Sequence, residues 1–158
     1  MTAQFYNHSP DLGHRLMSCA ARLGACFIVS HAVTVMVTCA VEGFNWGTNA
    51  WVLDVTGFLA GIFFTVQCWL SSKTKSHEFR SGNLWIFLWA STTLIVRIID
   101  TLMLLGWIKW SAVYITPVGS VFWSNVVSEI IFGASFTITA LLGALILLRS
   151  SGREVASR

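Results

Sequence analysis

A chain of 158 residues with 55% hydrophobic and only 11% charged side chains, mean hydropathy +0.70, falls well below the roughly 25% charge of a soluble domain. Four apolar stretches separated by short polar breaks use nearly all of it, which leaves one membrane domain and no space for a separate soluble one. The formal net charge of +3 is divided among short segments beside these stretches without a continuous patch, which argues against a nucleic-acid partner and for the lipid bilayer.

Where the basic residues fall sets the expected topology. Arg15, Arg22, Lys73, Lys75, Arg80, Arg149, Arg153 and Arg158 lie in or beside the N-terminal tail, the middle loop or the C-terminal tail. Lys109 alone lies in one of the other loops, and Arg97 lies within a span. By the positive-inside rule, both termini and the middle loop are expected on the cytoplasmic side, or its matrix or stromal equivalent. The first apolar stretch starts behind a polar tail with no small-residue cleavage site after it, so it is expected as a span and not as a secretory leader.

Residues 1–15 form the polar tail, in which Ser9-Pro10-Asp11 offers a helix-start signal. The first span is expected at about 16–41, with Arg22 reaching back to the headgroups. Its Ala20, Gly24, His31 and Thr38 share a face by three-and-four spacing. A loop at 42–50 rich in Gly and Asn makes the second span, about 51–70, an antiparallel neighbour of the first. Asp54, Gly57, Gly61, Thr65 and Cys68 line one of its faces. Gly57 and Gly61 make a GxxxG, whose missing side chains let another backbone come close.

The hydrophilic segment 71–82 is the expected cytoplasmic-side connection. It leads to a third span at about 84–107, where Ala90, Thr93, Arg97, Asp100 and Thr101 share a face. An aromatic loop with a Thr116-Pro117-Val118-Gly119 turn precedes the fourth span, about 122–148. Asn125, Glu129, Gly133, Thr137, Ala140 and Ala144 form one stripe on that span, and Ser135, Thr139 and Gly143 a neighbouring ridge. Two such faces suggest packing on sister spans and on a further subunit. Residues 149–158 form the C-terminal tail. The expected fold is an all-α polytopic membrane protein, an antiparallel four-transmembrane-helix bundle with short loops. Gly24, Gly57, Gly61, Gly133, Ala140, Gly143 and Ala144 are its expected helix-packing positions.

Indole rings favour the membrane interface, and the Trp residues cluster near both expected boundaries, with Trp69, Trp85 and Trp89 at or near the inner one. Cys19, Cys26, Cys39 and Cys68 have no CxxC spacing and all fall in spans, where they read as small apolar packing residues.

Arg97 is the most expensive residue to place. An Arg at the centre of a spanning helix costs about 2.5–3.5 kcal/mol on insertion scales unless it is partnered. Asp100, three residues on, can reach it along the same helix, and Glu129 can reach it if the third and fourth spans are neighbours. Helical rise places Arg97 and His31 roughly 15 Å, and Asp100 and Glu129 roughly 10 Å, from the outer end. One buried ionic layer of Arg97, Asp100, Glu129 and His31 is therefore expected. One Arg against two carboxylates leaves an excess negative charge, which calls for a bound proton or cation, or for a basic partner such as His31.

A single His with scattered carboxylates lacks a metal-ligand spacing, and a transmembrane haem wants a second axial ligand that the other spans do not supply as His. The residues specify no cofactor, and neither a phosphate-binding Gly-rich loop nor a nucleophile elbow is present. The expected function is a non-enzymatic integral membrane scaffold, or an accessory subunit of a larger membrane complex, whose ionic layer sets helix packing or partner choice. Its expected partners are the bilayer and other membrane subunits or further copies of itself. The alternative is a small proton- or cation-coupled transporter or channel component that uses Glu129, Asp100, Arg97 and His31.

Overall fold

The computed structural model describes residues 9–42, 48–108 and 119–156, and every element among them is helical. Helix α1 is Ser9–Glu42, α2 is Thr48–Lys73 and α3 is Arg80–Leu104. The last stretch joins α4 (Gly119–Asn125), a π-helical segment (Val126–Ala134) and α5 (Ser135–Ala156). Four stretches are long and apolar enough to cross a membrane: Asp11–Val41, Val55–Lys73, Arg80–Met103 and Gly119–Gly152. Helix α1 starts ahead of the expected first span, at the Ser9-Pro10-Asp11 signal, and so takes up part of the expected polar tail.

Helix α1 is the central element, with α2 on one side and the α4–α5 stretch on the other, while α3 packs chiefly on α5. Its inward positions are Gly13, Met17, Ala20, Gly24, Phe27, His31, Thr34 and Thr38. They alternate by four and three residues, a repeat of 3.5 that keeps one narrow seam turned toward its neighbours. At Gly24 the seam is at its tightest. A side chain there would collide with the Thr65 hydroxyl of α2 and come within 3.0 Å of the Phe136 ring of α5. Side-chain hydroxyls add links: Thr34 Oγ1 lies 3.0 Å from the Ser124 carbonyl, which ties α1 to α4.

Several expected packing positions meet neighbours. Gly61 approaches the Phe27 ring, Gly133 approaches Arg97, and Ala140 and Ala144 are fully buried. Gly57 does not. It is exposed, and a methyl group there would meet nothing within 4 Å. The face that α2 turns to α1 runs through Phe58, Gly61, Thr65 and Cys68, and at about 100° per residue Gly57 lies beyond its edge. Gly143, another expected packing position, faces Leu16 and Met17 of α1 at 3.2–3.3 Å. Cys68 is buried as a packing residue, whereas Cys19 and Cys26 point outward. Trp89 stacks on Phe64 of α2 with centroids 4.3 Å apart and touches Phe136.

The π-helical segment was not anticipated, yet the burial pattern explains it. Buried positions along the last stretch include Val121, Ser128, Gly133, Thr137, Ala140, Ala144, Leu147 and Ser151, with Phe136 and Gly143 adjoining the same face. The steps along that face are three, four or their sum of seven, except for one of five, from Ser128 to Gly133. A π turn takes up the additional residue and keeps a single face inward above and below it. Val126, Val127, Ile130 and Ile131 aid this by weakening the α-helical preference of the segment.

Gly24→Leu is expected to destabilise the bundle by about 1–3 kcal/mol through overpacking, and Gly57→Leu to stay within about 0.5 kcal/mol of the parent. Reversible unfolding in mixed micelles measures both; equal losses would contradict this packing.

Candidate functional site

Three helices each deliver one polar side chain to a common point. On α3, Asn83, Ile86, Ala90, Thr93 and Arg97 follow each other at three and four residues, so Arg97 continues the face that enters the bundle. On α1, His31 belongs to the 3.5-residue seam. Glu129 sits inside the π-helical segment, where the inward face takes its five-residue step.

Arg97 Nη1 meets Glu129 Oε2, and His31 Nδ1 lies 3.0 Å from Glu129 Oε1. One carboxylate thus bridges a guanidinium and an imidazole through different oxygens. The three side chains retain 11% (His31), 15% (Arg97) and 20% (Glu129) of their exposure. With Glu129 ionised, as its contact with Arg97 favours, Nδ1 carries the proton and donates it, whichever charge state the ring has. With His31 neutral, the formal charges of Arg97 and Glu129 cancel.

The surroundings fit these groups. Arg97 Cζ lies 4.8 Å from the centroid of the Phe27 ring, a cation–π arrangement beside the ion pair. A Cβ on Gly133 would come within 3.0 Å of Arg97 Cζ, so the absent side chain provides the space in which the guanidinium lies against the π-helical segment. The imidazole of His31 is set between Phe27, with centroids 5.4 Å apart, and Phe58 of α2, at 6.0 Å and nearly parallel. Phe27 and Phe58 were missed by sequence reasoning. Phe27 stands four residues before His31 on the same seam, which is the signal that could have found it.

Asp100 is the fourth expected member. Its backbone belongs to α3, but its side chain lies outside the described residues, as does that of Asp54. Among the described residues no group of three or more His, Cys, Asp or Glu is placed to hold a metal ion.

A second polar cluster, also missed from sequence, ties α1, α2 and α3 together near the α2–α3 turn. His14 Nδ1 lies 3.0 Å from the Ser71 carbonyl, and the Ser71 hydroxyl donates to Asn83 Oδ1 at 2.5 Å. Ser71 and Asn83 are both fully buried. Nothing in the residue types marked this pair, because serine and asparagine are common at helix ends for local reasons.

Arg97→Met leaves the Glu129 carboxylate without its cation and is expected to cost about 3 kcal/mol, whereas Arg97→Met combined with Glu129→Gln recovers most of that loss. Strictly additive effects in a double-mutant cycle, read by unfolding in micelles, would show that the two side chains are not coupled. Compared with known protein families, curated proteins and solved structures, the chain matches none of them, so its functional reading rests on this geometry.

Proposed function

We propose that the chain is a multi-pass integral membrane protein, an antiparallel four-helix bundle with both termini on the cytoplasmic or equivalent side. Its role in this reading is that of a non-enzymatic scaffold or accessory subunit of a larger membrane complex. Pairs of contacts between α1 and the last stretch run in opposite chain order, Gly13 with Leu147, Gly24 with Phe136 and His31 with Glu129, which supports antiparallel packing. The outward faces carry Val29, Met36, Leu59, Phe63, Ile95 and Ile98, all well exposed, which suits lipid or the apolar face of another membrane helix.

The observation that carries the scaffold reading is that both oxygens of the Glu129 carboxylate are engaged. Arg97 takes one oxygen and His31 the other, from two different helices. A carboxylate engaged in this way acts as an intramembrane ion pair that sets the register of three helices, a use well attested for buried charges. Light scattering of the protein in mild detergent is expected to give a protein mass well above the 17.5 kDa of one chain. A stable monomer across detergents and concentrations would count decisively against the scaffold role.

The transport reading has one specific observation in its favour. His31 and Glu129, 3.0 Å apart, are two titratable groups in line across a helix boundary, and Glu129 lies in a π-helical segment, a feature enriched at functional sites. It expects proton flux in liposomes that Glu129→Gln abolishes while the protein still assembles. Flux that persists in that variant, or none in the parent, removes it.

A further inference from the structure

The end of the molecule where α2 turns into α3 carries a groove with no part in the layer of Arg97, Glu129 and His31. It has a volume of about 420 Å³ and is lined by Phe63, Phe64, Gln67, Phe79, Ser81 and Trp85. That size and lining, mostly aromatic with a few polar atoms, fall in the range of small-molecule sites. The groove is open: its lining residues Phe63 and Trp85 are more than half exposed, and both lie within candidate membrane spans. In the proposed membrane it therefore faces the acyl chains.

Its rim is basic. Lys73, Lys75 and Arg80 are all exposed, and Glu78 is the single acid among them, 3.9 Å from His77. The turn that carries these cations adjoins the groove. Arg80 stands between the lining residues Phe79 and Ser81. The Lys75 carbonyl accepts hydrogen bonds from the amides of Glu78 and Phe79 at 3.1 and 3.2 Å, which folds the turn back onto the groove wall. An apolar cleft beside a turn rich in exposed cations has the charge pattern that suits an anionic headgroup above a buried chain.

We infer that this groove is a binding site for an anionic phospholipid, with one acyl chain along Phe63, Phe64 and Trp85 and the phosphate among Lys73, Lys75 and Arg80. The inference rests on the membrane reading above, but not on the scaffold role.

The test uses the full chain in nanodiscs containing equal parts of phosphatidylglycerol and phosphatidylcholine with matched acyl chains, and native mass spectrometry of the released protein. The parent retains phosphatidylglycerol over phosphatidylcholine by about fivefold, the size of effect that one basic residue near an anionic headgroup supplies. The combined variant Lys73→Ala, Lys75→Ala and Arg80→Ala brings the ratio to parity. Ser81→Trp, which fills the groove from an exposed position and leaves the cations in place, lowers retention of both lipids while helical content is unchanged. Equal retention of the two lipids by the parent, or a preference that survives the triple variant, overturns the site. So does efficient disulfide cross-linking of Ser81→Cys between two chains, which would place a second copy in the groove. Release of the chain from phosphatidylcholine vesicles by alkaline carbonate would overturn the membrane reading itself, and with it the site; resistance to carbonate with no lipid preference defeats the site alone.

Discussion

The guanidinium of Arg97 is the constraint around which the rest is arranged. A cation on an otherwise apolar helix must find an anion, a polarisable surface and room, or the helix will not be stable where it is. Glu129 is the anion, the Phe27 ring is the surface, and the missing side chain of Gly133 is the room. These three come from two other helical stretches, so satisfying one side chain brings α1, α3 and the last stretch together. The π-helical segment belongs to the same solution, because it carries Glu129 and Gly133 and keeps the inward face continuous through them.

Beside this layer, a chain of aromatic contacts connects all four long helices. Phe27 of α1 faces Phe136 of α5 at 6.5 Å, Phe136 faces Trp89 of α3 at 5.2 Å, and Trp89 stacks on Phe64 of α2 at 4.3 Å. Small residues at Gly24, Ala140 and Ala144 allow the backbones close enough for these rings to meet. The hydrogen bonds of His14, Ser71 and Asn83 close the opposite end. In a lipid environment apolar burial gives helices no preference for one another over acyl chains, so association has to come from such close packing and from polar contacts. Polar layers on either side of a packed aromatic stretch supply both.

Helix α3 is the least enclosed of the four candidate spans, with 12% of its most apolar window buried. Its inward face is committed to the last stretch, to the π-helical segment through Arg97 and to α5 through Trp89, and its outward face carries Leu84, Leu88, Ile95 and Ile98. The cleft between its first turn and α2 follows from this, since an element held mainly by one neighbour leaves the other side open.

The amino-acid sequence by itself determined the four long apolar helices, because hydropathy and length are local properties that no tertiary contact needs to supply. It also singled out Arg97, Glu129 and His31, since polar groups in apolar helices are conspicuous by type alone. The periodic stripes located most of the inward faces, Gly24, Ala140 and Ala144 among them. Only the tertiary structure decided how these faces meet. That Glu129 divides its two oxygens between Arg97 and His31 depends on the relative height and rotation of three helices, which residue spacing within any one of them does not contain. The outward position of Gly57 depends on where α1 crosses α2, and the use of Gly143 against α1 on how closely α5 approaches. The π turn at Glu129 arises because the buried positions on either side of it are five residues apart, and that misfit becomes visible only once it is known which side chains are covered.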